Sequence, residues 1–314
     1  MLPFGAGSRR LHSQMLEASP APVTPVIGAI TAGLGNQLFQ YATARAVSLR
    51  IGRPLRLDLH YYSLKSNRAY RLESYDLPAA PATDEELSHF LTPMYRHRFG
   101  RRLAFSTNRI LPFRWRRIIA ERSPRFDVRV LQIRWSVYLS GFWQSEQYFA
   151  DYSDTIRHEL TLTTPVPLAY RGVLEQIDAC ESVGLIVRRG DYLGISNTQG
   201  ICTLEYYRRA LETINTKVPG CRVFVFSDDI PWCRENLDWQ TDMVFVPSVT
   251  PERPEEHLRI LSRCQHFILA NSSFAWWGAW LALRADKIVI GPQKWMHPWK
   301  PFIDLMPTSW IKVN

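Results

Sequence analysis

At 314 residues, 46% of them hydrophobic, the chain is long enough for two domains of ordinary size and too apolar to be disordered along most of its length. Its formal net charge of +9 calls for an anionic partner or plain solvent. The five cysteines, Cys180, Cys202, Cys221, Cys233 and Cys264, show no CxxC or Cys/His spacing, which argues against a zinc module and for a reduced compartment, and no apolar run approaches the roughly 18 to 20 residues that cross a bilayer.

Met1 to Pro25 has an Arg-Arg pair without an apolar core behind it, fails as a secretory signal, and reads as a flexible tail. A cytoplasmic location is expected. Val26 to Thr31 is β-branched and apolar and predicts a strand, after which AGLGNQ turns the chain into a helix whose spacing shows in Leu38, Tyr41, Ala42, Arg45 and Leu49. Gly33 and Gly35 would let the backbone approach a ligand, with Asn36 and Gln37 supplying short polar side chains, or they merely make a tight connection between strand and helix. The spacing is neither GxGxxG nor a P-loop.

Between Arg96 and Arg134 the chain carries twelve arginines and only two acids, Glu121 and Asp127. Interleaved Phe99, Phe105, Phe113 and Trp115 give either a basic amphipathic surface for the anionic inner face of a membrane or a solvated face. No zinc-finger, RNA-recognition or KH motif accompanies the arginines, so no nucleic-acid partner is expected.

Val137 to Gly141 predicts another strand and Asp154 to Leu162 a short helix, and TTPVP at Thr163 to Pro167 reads as an interdomain linker. The division is then a domain over 26–165 and a second over 166–314. The second opens with a helix over Tyr170 to Cys180 and a strand over Val183 to Val187, followed by a helix over Leu204 to Ile214 and a strand over Arg222 to Phe226. A helical turn over Pro231 to Asn236, a strand over Met243 to Val246, a helix over Glu255 to Arg263 and a strand over Phe267 to Ala270 come next. A helix over Phe274 to Arg284 and a strand over Lys287 to Ile290 close the series. Such alternation argues for a parallel sheet with crossover helices, in the α/β class.

Three strand ends carry chemistry. In VRRGDY, Arg188 and Arg189 leave the strand at its carboxyl end, where open α/β sheets bind ligands, and an arginine fork there suits a diphosphate; a surface Arg/Asp turn is the alternative. In ANSSFAWWGAWL, Asn271, Ser272 and Ser273 are good helix caps, and the amides behind them would receive phosphate, while Trp276, Trp277 and Trp280 read as core. In FSDDIPW, Asp228 and Asp229 could hold the donor edge of a base or sugar, or form an ordinary turn; no third ligand closes a metal site around them.

With AGLGNQLFQYA, YLSGFWQSEQYF, VRRGDY, ICTLEYY, FSDD, LSRCQHFILANSSFAWWGAWL and IGPQKW in this order, the chain resembles the bacterial α-1,2-fucosyltransferases from Val26 to Trp295. The resemblance implies a GT-B-like pair of Rossmann-type domains with parallel sheets facing a central cleft. It also implies inverting transfer of L-fucose from GDP-β-L-fucose to the 2-hydroxyl of a galactose-containing glycan acceptor, as in O-antigen or polysaccharide synthesis, without metal or other cofactor. Alternatives are a GDP-sugar transferase with another acceptor or linkage, or a non-catalytic nucleotide or anionic-polymer binder. The chain departs from the family's HxRRGD at Ile186, which leaves His266 as a candidate replacement contact to the nucleotide. It also has Ala32 where the family opens with glycine, a change that is mild only if that position needs a negative φ. On this reading Arg188 stabilises charge on the leaving β-phosphate, Arg189 does the same or braces the loop, and Asp191 is the base or fixes an arginine.

Overall fold

The computed structural model describes residues 23–64, 68–91, 106, 108, 110–189, 202–237, 239, 241–247, 253–295 and 304–314. Two wholly parallel sheets organise them. The first contains β1 (Val26–Ala29), β2 (Leu55–Asp58), β3 (Ala79–Pro81), β4 (Ile118–Ala120) and β5 (Tyr138–Ser140) in the order β3-β2-β1-β5-β4. The second contains β6 (Ser182–Val187), β7 (Arg222–Ser227), β8 (Met243–Phe245), β9 (His266–Ile268), β10 (Val289–Pro292) and β11 (Ile311–Val313) in the order β11-β10-β9-β6-β7-β8. This is the expected pair of Rossmann-like sheets.

The helices are α1 (Leu34–Ile51), α2 (His60–Ser63), α3 (Asp84–Ser88), α4 (Ser153–Glu159), α5 (Leu168–Asp178), α6 (Leu204–Lys217), α7 (Ile230–Asn236), α8 (Pro254–Leu261) and α9 (Ser273–Leu281). Expected elements recur with ends shifted by a few residues. The first helix begins a turn earlier than expected, and β11 follows what reads in the sequence as the last strand. Thr24, assigned to the tail, is already tied down: its carbonyl accepts the Ser136 hydroxyl at 2.6 Å.

Helix α1 holds the two sheets together, which explains why its sequence lacks a polar face. It stops at Gly52, where φ 64° is free for glycine, and the amides of Gly52 and Arg53 close on the Leu49 and Ser48 carbonyls. Most of its length is buried, with one side on β1 and β2 and another on α9. Phe39 lies 4.5 Å from Trp276 and 5.0 Å from Trp277 between ring centroids, and Phe149 stacks on Trp277 at 5.6 Å. Trp276, Trp277 and Trp280 are core, as the sequence suggests, and one apolar cluster runs from Val26 and Leu55 in the first sheet through these rings to Phe267 and Val289 in the second.

Candidate active site

In the second sheet β7 and β8 are laid down on one side of β6, and β9, β10 and β11 on the other. The order in which strands are added reverses between β6 and β9, and the space outside their carboxyl ends is where open α/β sheets take ligands. Leu185 pairs with Ile268 and Val187 with Ser227. Continuing those registers, Arg188 leaves the sheet between Asn271 and Asp228. Three motifs scattered along the sequence therefore converge on one edge.

The two arginines have different surroundings. The Arg189 guanidinium carbon sits 3.7 Å from the centroid of the Trp232 ring, and its Nε donates to Asp229 at 3.2 Å. Asp229 is fixed in turn: it caps α7 by accepting the Trp232 amide at 3.2 Å, and its own amide donates to the Ser227 hydroxyl at 2.9 Å. Arg189 is thus held between Asp229 and the Trp232 ring. Arg188 is the more accessible of the pair, at 31% against 18% for the side chains, with its Nε 3.2 Å from Asp228, whose other oxygen accepts the Arg189 amide at 2.9 Å. The acidic pair holds the arginines, whereas the sequence alone left it as a base or sugar contact or a turn. The neglected signal was Asp-x-Pro-Trp, a helix start that brings an aromatic ring back over the strand end.

Asn271 is buried, and its side-chain oxygen lies 3.8 Å from the Cys202 sulfur; burial pushes that thiol up to about 11. Ser272 starts α9 through its carbonyl, which accepts the Trp276 amide at 3.0 Å, and its hydroxyl makes no capping bond. Ser273 lies against the start of α1: a Cβ built on Gly35 would stand 2.6 Å from the Ser273 hydroxyl and 2.4 Å from the Phe274 nitrogen. The close approach that Gly35 permits is to the start of α9, not to a ligand. Gly33 has open space around it and a φ of −85°, so it needs no glycine-specific conformation.

Gln37 is likewise structural. It is fully buried, donates to the Ala32 and Ala69 carbonyls at 2.9 Å each, and accepts the Arg71 amide at 2.9 Å. Asn36 is partly exposed and accepts Gln144 Nε2 at 2.7 Å, which joins the turn after β1 to the turn after β5. Gln40 ties the same two turns from below: it pairs with Thr31 through both the amide nitrogen and the hydroxyl, and donates to the Gly141 carbonyl at 3.1 Å.

Both turns contain a non-glycine residue in the left-handed region. Ala32 has φ 64°, and its carbonyl is held by Gln37 and by the Tyr62 hydroxyl at 2.9 Å. Trp143 has φ 55°, and its amide and that of Phe142 donate to the Glu121 carboxylate at 3.0 and 2.7 Å. Burial raises the Glu121 pKa against the pull of those two amides. Replacement of the family glycine by Ala32 is therefore the costlier of the two cases.

His266 is not brought to this site. It lies at the opposite, amino-terminal end of β9, paired with Val183, and is 2% exposed. Its Nδ1 accepts the Ile288 amide at 3.0 Å, which leaves the proton on Nε2, 3.3 Å from Glu181. Burial lowers its pKa despite Glu181. Asp191 lies outside the described residues. A separate groove of about 1050 Å³ runs between α4, α5 and α8, and the arginines along it, Arg157, Arg259, Arg263 and Arg284, are each paired, with Asp154, Glu256, Asp178 and Glu181 or Asp286.

A family model, Glycosyl transferase family 11, matches residues 104–307, which include every strand of the second sheet except β11, together with Arg188, Arg189, Asp228, Asp229 and Asn271. The chain belongs to glycosyltransferase family 11. It is 29% identical over 304 residues to an alpha-1,2-colitosyltransferase of Escherichia coli, a match that spans 92% of this chain and 99% of that one. It is 28% identical over 191 residues to galactoside alpha-(1,2)-fucosyltransferase 1 of Lagothrix lagotricha, covering 56% and 52% of the two chains. Among solved structures, the NodZ alpha-1,6-fucosyltransferase soaked with GDP-fucose aligns with a TM-score of 0.50 at 16% identity, over 83% of this chain and 93% of that one. The fold of this family 11 enzyme is thus the GT-B type, with two Rossmann-like domains. Among its described residues no group of three or more His, Cys, Asp or Glu is placed to hold a metal ion, and no helix is long and apolar enough to cross a membrane.

Proposed function

We propose that the enzyme transfers L-fucose from GDP-β-L-fucose to the 2-hydroxyl of a galactoside, with inversion at the anomeric carbon and without metal. The observation that carries this reading is Arg188, accessible at the carboxyl end of β6 next to β9 and steadied by Asp228, with Arg189 held by Asp229 and Trp232. When the bond between the anomeric carbon and the phosphate oxygen breaks, charge accumulates on the β-phosphate, and a fixed guanidinium beside that oxygen stabilises it without rearrangement. The amino-terminal amides of α9 would add to that field.

The acceptor hydroxyl forms the new bond from the opposite face and must lose its proton. Asp228 and Asp229 already brace the two arginines, so that duty does not call for Asp191, and the proposal assigns it the proton. The acceptor sugar would lie against the first sheet, at the turns joined by Asn36 and Gln144. Transfer of colitose is a second reading, supported by the similarity to the colitosyltransferase over nearly its whole length.

The test is incubation of the purified enzyme with GDP-fucose or the corresponding colitose nucleotide, a panel of β-galactosides, and linkage analysis of the products. An α-1,2-linked fucoside formed equally well in EDTA supports the proposal. Product from the colitose nucleotide alone selects the second reading, and inactivation by EDTA with recovery on Mn²⁺ or Mg²⁺ overturns the metal-free step.

A further inference from the structure

Ile110, Leu111, Trp115 and Val128 are 84%, 41%, 60% and 55% exposed, although large apolar side chains left in water are costly and, when grouped, mark contact surfaces. Ile110, Leu111 and Trp115 lie within three residues of Phe113 in the chain, and Val128 precedes Arg129, whose guanidinium reaches the Phe113 ring. Phe113 lies at the centre, with the guanidinium carbons of Arg116 and Arg129 at 6.0 and 5.0 Å from its ring and Trp135 against it at 6.2 Å. Arg116 also donates to the Leu111 carbonyl at 2.8 Å, and Arg114 lies 5.4 Å from the Trp115 ring.

Charge in this region is almost wholly of one sign. Arg114, Arg117, Arg122, Arg125, Arg129 and Arg134 are all exposed. Of the two acids in the stretch, Asp127 is taken by Arg129 at 2.6 Å, and Glu121 at the far end of β4 is turned toward the Phe142 and Trp143 amides. The patch sits where β4 and β5 begin, since the Arg116 and Arg117 carbonyls accept Trp135 Nε1 and the Tyr138 amide, both at 2.9 Å. Occupying it leaves the carboxyl ends of the strands open.

We infer that this patch docks the enzyme on an anionic lipid bilayer, with Ile110, Leu111, Trp115 and Val128 entering the headgroup region and the arginines neutralising lipid charge. Phosphate on a nucleic acid would satisfy the arginines but offers nothing to the exposed Ile110, Leu111 and Val128 side chains among them. Each basic residue near an anionic leaflet is worth roughly fivefold in partitioning, and the attraction is screened by salt.

The experiment is flotation of the full-length protein with phosphatidylcholine vesicles containing phosphatidylserine, and with phosphatidylcholine alone, at low and high salt. Flotation with the anionic vesicles at low salt, release at high salt and little binding to neutral ones is expected. Combined Arg114→Glu, Arg116→Glu and Arg129→Glu should weaken partitioning by well over tenfold, and Trp115→Ser with Ile110→Ser should weaken it at low salt too, with unchanged thermal melting of each variant as the check on folding. Protein that never floats, that floats equally with neutral vesicles, or whose folded variants float like the parent overturns the inference, as does binding to polyuridylate in preference to vesicles.

Discussion

Replacing Gly35 with alanine should damage both stability and turnover, because the new methyl group has nowhere to go. It would stand 2.4 Å from the Phe274 nitrogen and 2.6 Å from the Ser273 carbonyl carbon, both main-chain atoms at the start of α9. Non-bonded carbon contacts settle at roughly 3.5 Å or beyond, so α1 and α9 must separate by about 1 Å at this end. Overpacking of that kind typically costs about 1 to 3 kcal/mol, and Phe39 against Trp276 and Trp277 resists the shift. A displacement of about 1 Å between groups that position a reaction can cost on the order of a hundredfold in rate, and this contact joins the Asn36 turn to the Ser272 turn. Gly33→Ala is the control, since no atom lies within 4 Å of its added Cβ. Thermal melting and kcat for fucosyl transfer should fall together in Gly35→Ala, with melting unchanged in Gly33→Ala. A Gly35→Ala protein with parental melting temperature and turnover would refute the argument.

The inequality of the arginines predicts that Arg188→Ala lowers kcat by about 10² to 10³ with little change in melting, as expected for loss of one charge-stabilising donor; near-normal turnover in a folded variant would make that arginine structural. Arg189→Ala should lower the melting temperature more than Arg188→Ala, through loss of the Trp232 and Asp229 contacts. Ala32→Gly should stabilise the enzyme by about 0.5 to 1 kcal/mol, read by denaturant titration, because relief of the left-handed strain outweighs the added unfolded-state freedom. Burial lowers the His257 and His266 pKa values, so the unfolded chain binds more protons and stability is lost as pH falls below about 6.5. His266→Gln should flatten that decline while leaving the KM for GDP-fucose unchanged, and a raised KM would return His266 to the donor site.

Strands β6, β7, β9 and β10 of the second sheet were legible because they are buried on both faces and read as apolar runs such as Val183 to Val187, whereas the half-exposed β11 went unread. Strands β2, β3 and β4 escaped notice: Leu55–Asp58 alternates with charge, Ala79–Pro81 is short and ends in proline, and Ile118–Ala120 is masked by flanking arginines. At the site, the sequence could offer Arg188, Arg189, Asp228 and Asp229 as residues but not their pairing, because strand order and register decide which loop ends are neighbours. The misplacement of His266 has the same origin. A histidine close in sequence to the serine turn lies at the far end of the strand between them, and each strand residue adds roughly 3.3 Å of separation. Gln37 and Gly35 looked like ligand contacts because a polar side chain serving buried carbonyls and a glycine admitting a neighbouring helix leave the same mark in sequence as a binding loop.

The aromatic cluster around Phe39, Phe149 and the three tryptophans of α9 has a consequence for how the molecule comes apart. Two sheets joined by a thin linker could melt in separate steps. Here the helix that completes the first sheet shares its apolar surface with a helix of the second, so neither sheet can lose its structure without exposing the other's interior. A single unfolding transition is therefore expected for the pair. A fragment cut at the proline-containing connection would carry half of a core and an uncovered face of tryptophan or phenylalanine, the kind of surface that drives association in place of folding.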